Sequence, residues 1–164
     1  MAAGSTPAIR AAAEAEVLYR VHAYPHTPRG TSYGIEAVEA LCVELGVVAE
    51  QIFKTLVIEL STGALAVAVL PVPRTLSLKA AAKALSASKA VMADKTRAER
   101  TTGYVLGGIS PLGQRTSLPT VIDDSALALD RMFCSAGRRG LEIELAPADL
   151  IRMTAAVTAP VASA

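Results

Sequence analysis

The chain has no tryptophan, and aromatic residues make up only 4% of it. Its core must therefore be filled by valine, leucine and isoleucine, since much of the 52% hydrophobic content is alanine and large anchors are few. Neither sign of charge is in excess. Lys and Arg number 16 against 15 Asp and Glu, a formal charge of +1, which excludes a globally basic nucleic-acid binder and leaves DNA out of the expected partners. A local basic patch survives that argument, because phosphate recognition depends on clustering rather than on the total. Cysteine is scarce as well. Cys42 and Cys134 are too few for a disulfide framework and have no metal-ligand spacing, so a reduced, intracellular chain is expected.

Long apolar runs and a basic, apolar leader are also missing. Residues 1–7 show no secretory pattern, and the apolar stretch 55–72 is interrupted by Glu59, Ser61, Thr62 and Gly63. Two strands fit it better than a membrane span. The expectation is a soluble, cytoplasmic protein with no membrane partner. Its 164 residues suit one domain, 1–164, with a continuous core.

What is present gives an ordered series of elements. Thr6 and Pro7 form a helix start, opening an alanine-rich helix to about Glu16. A strand is predicted over 17–24, a loop around Pro25, Pro28 and Gly30, and a helix from Gly34 to a stop at Gly46. Residues 52–60 and 65–70 around Ser61-Thr62-Gly63-Ala64 predict a hairpin. Ser77 caps a helix through Leu85, and Asp94 caps another through Arg100. Strands are expected near 118–122, 132–135 and 141–145, with a last helix from Ala146-Pro147 and a frayed tail from about Ala155. No regular βαβ rhythm runs through this series, which places the chain in the α+β class around a mixed sheet or barrel.

Few residues suggest chemistry. Gly108-Ile109-Ser110 begins like a nucleophile elbow, but Leu112 stands where the elbow needs glycine, and Pro111 removes the amide that would hold an oxyanion. Cys42 and Cys134 read as packing residues. His22 and His26 are separated by Pro25 and do not form the one-face pair that binds zinc, so no metal and no cofactor is expected. Gly107-Gly108 is either a turn or a backbone approach to a ligand. Lys54 interrupts the apolar run of 52–58, either as an exposed edge lysine or as an ammonium directed into a cleft. Arg138-Arg139, between two glycines, reads as a solvated turn or as a phosphate contact.

Several ordered segments resemble the YbaK family, relatives of the editing domain inserted in bacterial prolyl-tRNA synthetases. They are Thr6-Pro7-Ala8, His22-Ala23-Tyr24 and Gln51-Ile52-Phe53-Lys54-Thr55-Leu56, then the stretch 102–114 around Gly107-Gly108-Ile109-Ser110-Pro111, and 135–145 from Ser135-Ala136-Gly137 to Leu145. The resemblance implies a mixed, barrel-like sheet with flanking helices. It also implies deacylation of mischarged tRNA, chiefly Cys-tRNA(Pro) and also Cys-tRNA(Cys), in a cleft holding the acylated acceptor end. Lys54 is then the central residue, with Gly107 and Gly108 catalytic beside it and Tyr24, Tyr33, Thr55, Ser135 and Glu142 binding the substrate. Two positions depart from the pattern. Ala136-Gly137 stands where some members carry a glycine pair, and Glu142 where some carry aspartate.

In this family the substrate's own cysteine thiol attacks its ester carbonyl and leaves as a thiolactone, a lyase-like release that needs no protein nucleophile. The resemblance implies the same here, with confinement supplying much of the acceleration. Two other readings stay open: a deacylase for alanine or serine that uses water, and a non-catalytic module binding tRNA or a synthetase. The near-neutral charge implies modest affinity for tRNA alone and leaves room for prolyl-tRNA synthetase as a partner.

Overall fold

The computed structural model describes residues 5–25 and 33–164. Thr6 caps α1 (Pro7–Glu14): its hydroxyl accepts the Ile9 amide at 3.1 Å, while Pro7 takes the first helical position, where an N–H would have no partner. The same hydroxyl donates to the Ala136 carbonyl, tying α1 to a distant strand. β1 (Tyr19–Ala23) follows, and then α2 (Tyr33–Leu45), which ends at Gly46 with φ 67°. The loop expected around Pro28 and Gly30 lies outside the described residues, as does His26.

β2 (Phe53–Leu60) and β3 (Leu65–Pro71) form the predicted hairpin, in register from Phe53↔Pro71 to Glu59↔Leu65. Next come β4 (Thr75–Leu76), α3 (Leu78–Ala84), β5 (Ala90–Met92) and α4 (Lys95–Thr102). Ser77 and Asp94 cap α3 and α4 through side-chain bonds to Ala80 N and Arg97 N. β6 (Thr120–Asp123), β7 (Met132–Arg138), β8 (Leu141–Leu145), α5 (Pro147–Thr154), β9 (Val157–Ala159) and β10 (Ala162–Ser163) complete the chain.

The central sheet has the order β5-β2-β3-β6-β9, antiparallel through the hairpin and β5, parallel from β3 to β6 and β9. β3 is buried along its whole length because strands flank it and side chains cover both faces, so it reads as a continuous apolar run rather than an alternation. One face carries Phe53, Val57, Val67 and Val69 into the larger core cluster. The other carries Ile58, Leu60, Ala66 and Ala68 against Ala81 and Ala82 of α3. Small residues on both sides let that helix lie close. A second sheet, β1-β8-β7, sends Leu141, Ile143 and Leu145 into the larger cluster. The sheets meet at a parallel bridge between Ile52 and Phe133, and no closed barrel forms among the described residues. The α+β expectation holds. Its barrel-like sheet is two sheets folded around one core.

The expectation of a frayed tail is corrected. β9 joins β6, β10 pairs with β4, and Val161 between them is fully buried. The cause is Asp123, whose Oδ1 accepts the amides of Val161 and Ala162, each at 3.0 Å. No helix among the described residues is long and apolar enough to cross a membrane.

Candidate functional site

β2 sets the position of the site. Bonds from Val72 N to Ile52 O and from Leu60 N to Ala64 O mean that even-numbered residues of β2 exchange backbone hydrogen bonds with β3. The odd-numbered residues face the other way. There β5 pairs only as far as Ile58↔Met92, with one more bond from Ala93 N to Val57 O. At Thr55 the strand has no partner on that side among the described residues, and its edge forms one wall of a cavity of about 360 Å³. Lys54, Thr55 and Leu56 line this wall, and Tyr24, Ser135 and Glu142 come from the second sheet. Gly34 and Ile35 of α2, together with Leu106, Gly107 and Ile109, close the rest.

Glu142 stands directly opposite His22 in β1 and Ser135 in β7, so the three share one sheet face. His22 is engaged elsewhere: its Nε2 lies 2.8 Å from Glu144, which also accepts Arg131 Nε at 3.3 Å. Ser135 Oγ accepts the Gly137 amide at 3.1 Å, which holds its rotamer. Glu142 is buried, and its Oε2 has no hydrogen-bond partner; the buried Thr55 Oγ1 has none either. Orphan buried oxygens are uncommon, and two in the lining of one cavity mark a place built for a polar guest. Burial pushes the Glu142 carboxyl up to about 8, so at neutral pH it is protonated and can donate. Burial first, then the Glu142 charge, raises the Tyr24 phenol above its ordinary value.

Lys54 is half-buried, and its Nζ donates to the Arg74 carbonyl at 2.6 Å. That bond fixes the ammonium with donors to spare, and partial burial lowers its pKa. Of the two readings of this lysine, the geometry favours the cleft.

Gly108 departs from expectation. Its amide donates to Val105 O at 2.9 Å and closes a turn whose left-handed corner is Gly107 at φ 91°, so it is not available to an oxyanion. A Cβ on Gly108 would lie 2.9 Å from Arg139 N and 3.0 Å from Arg138 Cα. The residue is glycine for that close approach, and only Gly107 lines the cavity. Tyr33 opens α2, with its side chain outside the described residues. Arg139 does not lie in a solvated turn: it pairs with Glu36 at 2.6 Å and ties β7–β8 to α2. Ser110 is fully buried and its Oγ accepts Leu112 N. Cys134 faces the larger core, whereas Cys42 is only half-buried. Among the described residues no group of three His, Cys, Asp or Glu could hold a metal ion.

The sequence reading missed the apolar walls made by Ile35, Val72 and Leu106, and the carbonyl of Arg74 that holds Lys54. Of these, Leu106 had a signal in the sequence, its place directly before Gly107-Gly108.

Comparison with known proteins gives the family and the fold. The family model described as an aminoacyl-tRNA editing domain matches residues 33–153. A protein of Enterococcus faecalis, EbsC, provisionally named a Cys-tRNA(Pro)/Cys-tRNA(Cys) deacylase, is 38% identical over 118 residues, 72% of each chain. Among solved structures, one described provisionally as a trans-editing enzyme for prolyl-tRNA synthetase superposes with a TM-score of 0.82 at 22% identity, covering 99% of this chain and 100% of that one. The hypothetical protein APE2540 gives 0.81 at 23% identity, over 96% of this chain and 100% of that one. These two speak to the fold.

Proposed function

The chain belongs to the aminoacyl-tRNA editing domain family, and on that premise we propose that it deacylates mischarged Cys-tRNA(Pro), and Cys-tRNA(Cys) with it, in the cytoplasm. The observation that carries the reading is the cavity with an ammonium at its wall and two orphan oxygens, Thr55 Oγ1 and Glu142 Oε2, in its lining. An aminoacyl ester brings polar groups that such oxygens can bind, on a chain whose phosphates suit Lys54.

The attacking atom belongs to the substrate. No cysteine lines the cavity, and the side chain of His22 is held by Glu144. A substrate cysteine loses its thiol proton, its sulfur bonds to its own ester carbon, and the bond to the ribose oxygen breaks as that oxygen takes up a proton. The product is a four-membered thiolactone, which water opens to free cysteine. A thiol is a few per cent ionised near neutrality, and confinement beside the carbonyl supplies the rest of the advantage. Lys54 holds the terminal nucleotide and biases the local field toward the thiolate. Tyr24, Thr55, Ser135 and the neutral Glu142 position the aminoacyl end, and Gly107 brings backbone to the same wall.

The test is a deacylation panel of tRNAs charged with cysteine, S-methylcysteine, serine, alanine and proline. Cysteine should be released fastest, with a thiolactone detected by mass spectrometry, and S-methylcysteine hardly at all. Equal rates for cysteine and S-methylcysteine would make water the nucleophile. Preference for alanine or serine would reassign the substrate.

A further inference from the structure

The whole chain is almost neutral, yet between positions 100 and 122 there is no aspartate or glutamate, while Arg100 and Arg115 fall inside that stretch. α4 leads into it as a polar helix with only Ala98 and Thr102 buried. Lys95 at its start is exposed, and Arg97 and Glu99 are committed. Arg97 pairs with Glu59 at 2.9 Å and donates to Gly63 O at 2.6 Å, fastening the helix to the hairpin. Asp94 caps the far end, and Glu99 accepts the Leu106 amide at 2.6 Å, folding the following loop back on the helix.

The fold then places the two arginines together. Arg115 N donates to Thr102 O at 2.9 Å and Thr116 N to Thr101 O at 3.2 Å, so this segment lies along the end of α4. Arg115 Nη1 reaches the Arg100 carbonyl at 3.3 Å, and its side chain crosses Gly103, whose added Cβ would lie 3.6 Å from Nε. Both arginines are exposed, beside the exposed Thr116 and Ser117. A single arginine at a helix end would do no more than offset the C-terminal dipole. Two of them, with no acid in the segment between, go beyond that.

Between this patch and the cavity stand Val105 and Leu106, 65% and 46% exposed, and Leu106 is itself part of the cavity lining. The surface thus runs from guanidinium and hydroxyl groups through an apolar step to Lys54. Two guanidiniums with hydroxyls beside them, joined to the cavity by an apolar step, suit the sugar–phosphate backbone of a nucleic acid. Arginine forks suit phosphate oxygens particularly well.

We propose that the surface of Arg100, Arg115 and the Val105–Leu106 step, where the one neighbouring carboxylate, Glu99, is taken up by the Leu106 amide, docks the sugar–phosphate backbone of the RNA whose acylated end enters the cavity. It rests on the deacylase reading for the direction of the strand, and the experiment separates the two. Binding of uncharged tRNA should weaken on the order of ten-fold or more in Arg100→Glu/Arg115→Glu, and the slope of log affinity against log salt should fall by about two. The variant must keep the wild-type thermal midpoint, and Arg100→Lys/Arg115→Lys should retain most of the binding. In turnover, KM for Cys-tRNA should rise with kcat changed less than about two-fold, while cysteine esterified to adenosine alone is cleaved at the wild-type rate. Unchanged tRNA binding and salt slope in the charge-reversed protein would overturn the docking surface, as would an equal loss on the small ester. An unaltered protein that binds tRNA through these arginines but deacylates nothing would sink the deacylase reading and leave the surface standing.

Discussion

Along β2, residues 57–60 and residues 53–56 share one neighbour and differ in the other. Both halves pair with β3, but only the first is also flanked by β5. In that half Val57, Ile58 and Leu60 are buried at 5%, 0% and 7% exposure, and Glu59 leaves the apolar surroundings through its pair with Arg97. In the other half Lys54, Thr55 and Leu56 are all half-buried and all line the cavity. A sheet edge normally invites pairing by another chain. Here the second sheet, α2 and the loop carrying Gly107 stand across from it, so the open edge becomes an enclosed wall. The site arises where a strand outlasts its neighbour, and its polar residues sit there without disturbing the core.

That contrast is broken most directly by one substitution in each half. Lys54→Ala should reduce deacylation on the order of 10²–10³-fold, the scale of one lost electrostatic partner of the transition state, with no change in thermal midpoint. Lys54→Arg should also be poor, because a planar guanidinium cannot take the ammonium's place against the Arg74 carbonyl. Ile58→Ala should do the opposite. It leaves a cavity against α3, should cost about 2–5 kcal/mol in urea unfolding, and should leave the folded fraction active. A stable but inactive Ile58→Ala, or an unfolded Lys54→Ala, would erase the distinction between the halves.

The caps at Thr6, Ser77 and Asp94 and the β2–β3 hairpin were legible because local rules decide them. Lys54 was legible as a charge inside an apolar run. Ser135 and Glu142 were legible only through family resemblance, since as isolated residues they look like ordinary strand positions. β9 and β10 were not legible at all. Three and two residues of Val, Thr, Ala and Ser carry no period, and their order depends on Asp123, far away in the chain. Gly108 was misread for a similar reason. Its glycine answers to the backbone of Arg138 and Arg139, a contact that no local pattern announces.

A finer comparison lies within β8, where Glu142 and Glu144 are two apart on one face. Burial acts to raise both. At Glu144 the bonds and charges of His22 and Arg131 outweigh it and hold the carboxyl below its ordinary value, whereas Glu142 has no such partners and moves from 4.5 to about 8. The signs for stability are opposite. Between pH about 4.5 and 8 the unfolded chain ionises Glu142 while the folded chain keeps it protonated, so folding binds protons and stability falls as pH rises. Glu142→Gln should abolish that slope, which can approach about 1.4 kcal/mol per pH unit. Urea titrations at several pH values should therefore show the variant gaining on the wild type from pH 5 to 8, with no gain below the ordinary carboxylate range. Glu144 stabilises fully above that range and loses its contribution as pH falls below about 4.5, so Glu144→Gln should narrow the stability difference between neutral pH and pH below the ordinary carboxylate range. A Glu142→Gln protein with the wild-type pH profile would place the Glu142 carboxylate in its charged form in the folded state.

The smallest effects belong to the two thiols, and they bear on the mechanism for that reason. Cys134 lies in β7 beside Ser135, but its side chain enters the larger core while Ser135 lines the cavity. Burial, and then the Glu142 charge, push its pKa well up, which is the reverse of what a nucleophile needs. Cys134→Ala should cost about 1 kcal/mol, the scale of one buried methyl-sized group, and Cys42→Ala, half-exposed on α2, should cost less. Deacylation of Cys-tRNA should be unchanged in both and in the double variant, leaving a cysteine-free protein that still releases thiolactone. That experiment isolates the sulfur. In a chain with no thiol of its own, any thioester or thiolactone recovered from the reaction must carry the substrate's sulfur. A folded Cys134→Ala protein whose turnover drops ten-fold or more would instead put a protein thiol into the chemistry, and the buried face of β7 would have to open for it to act.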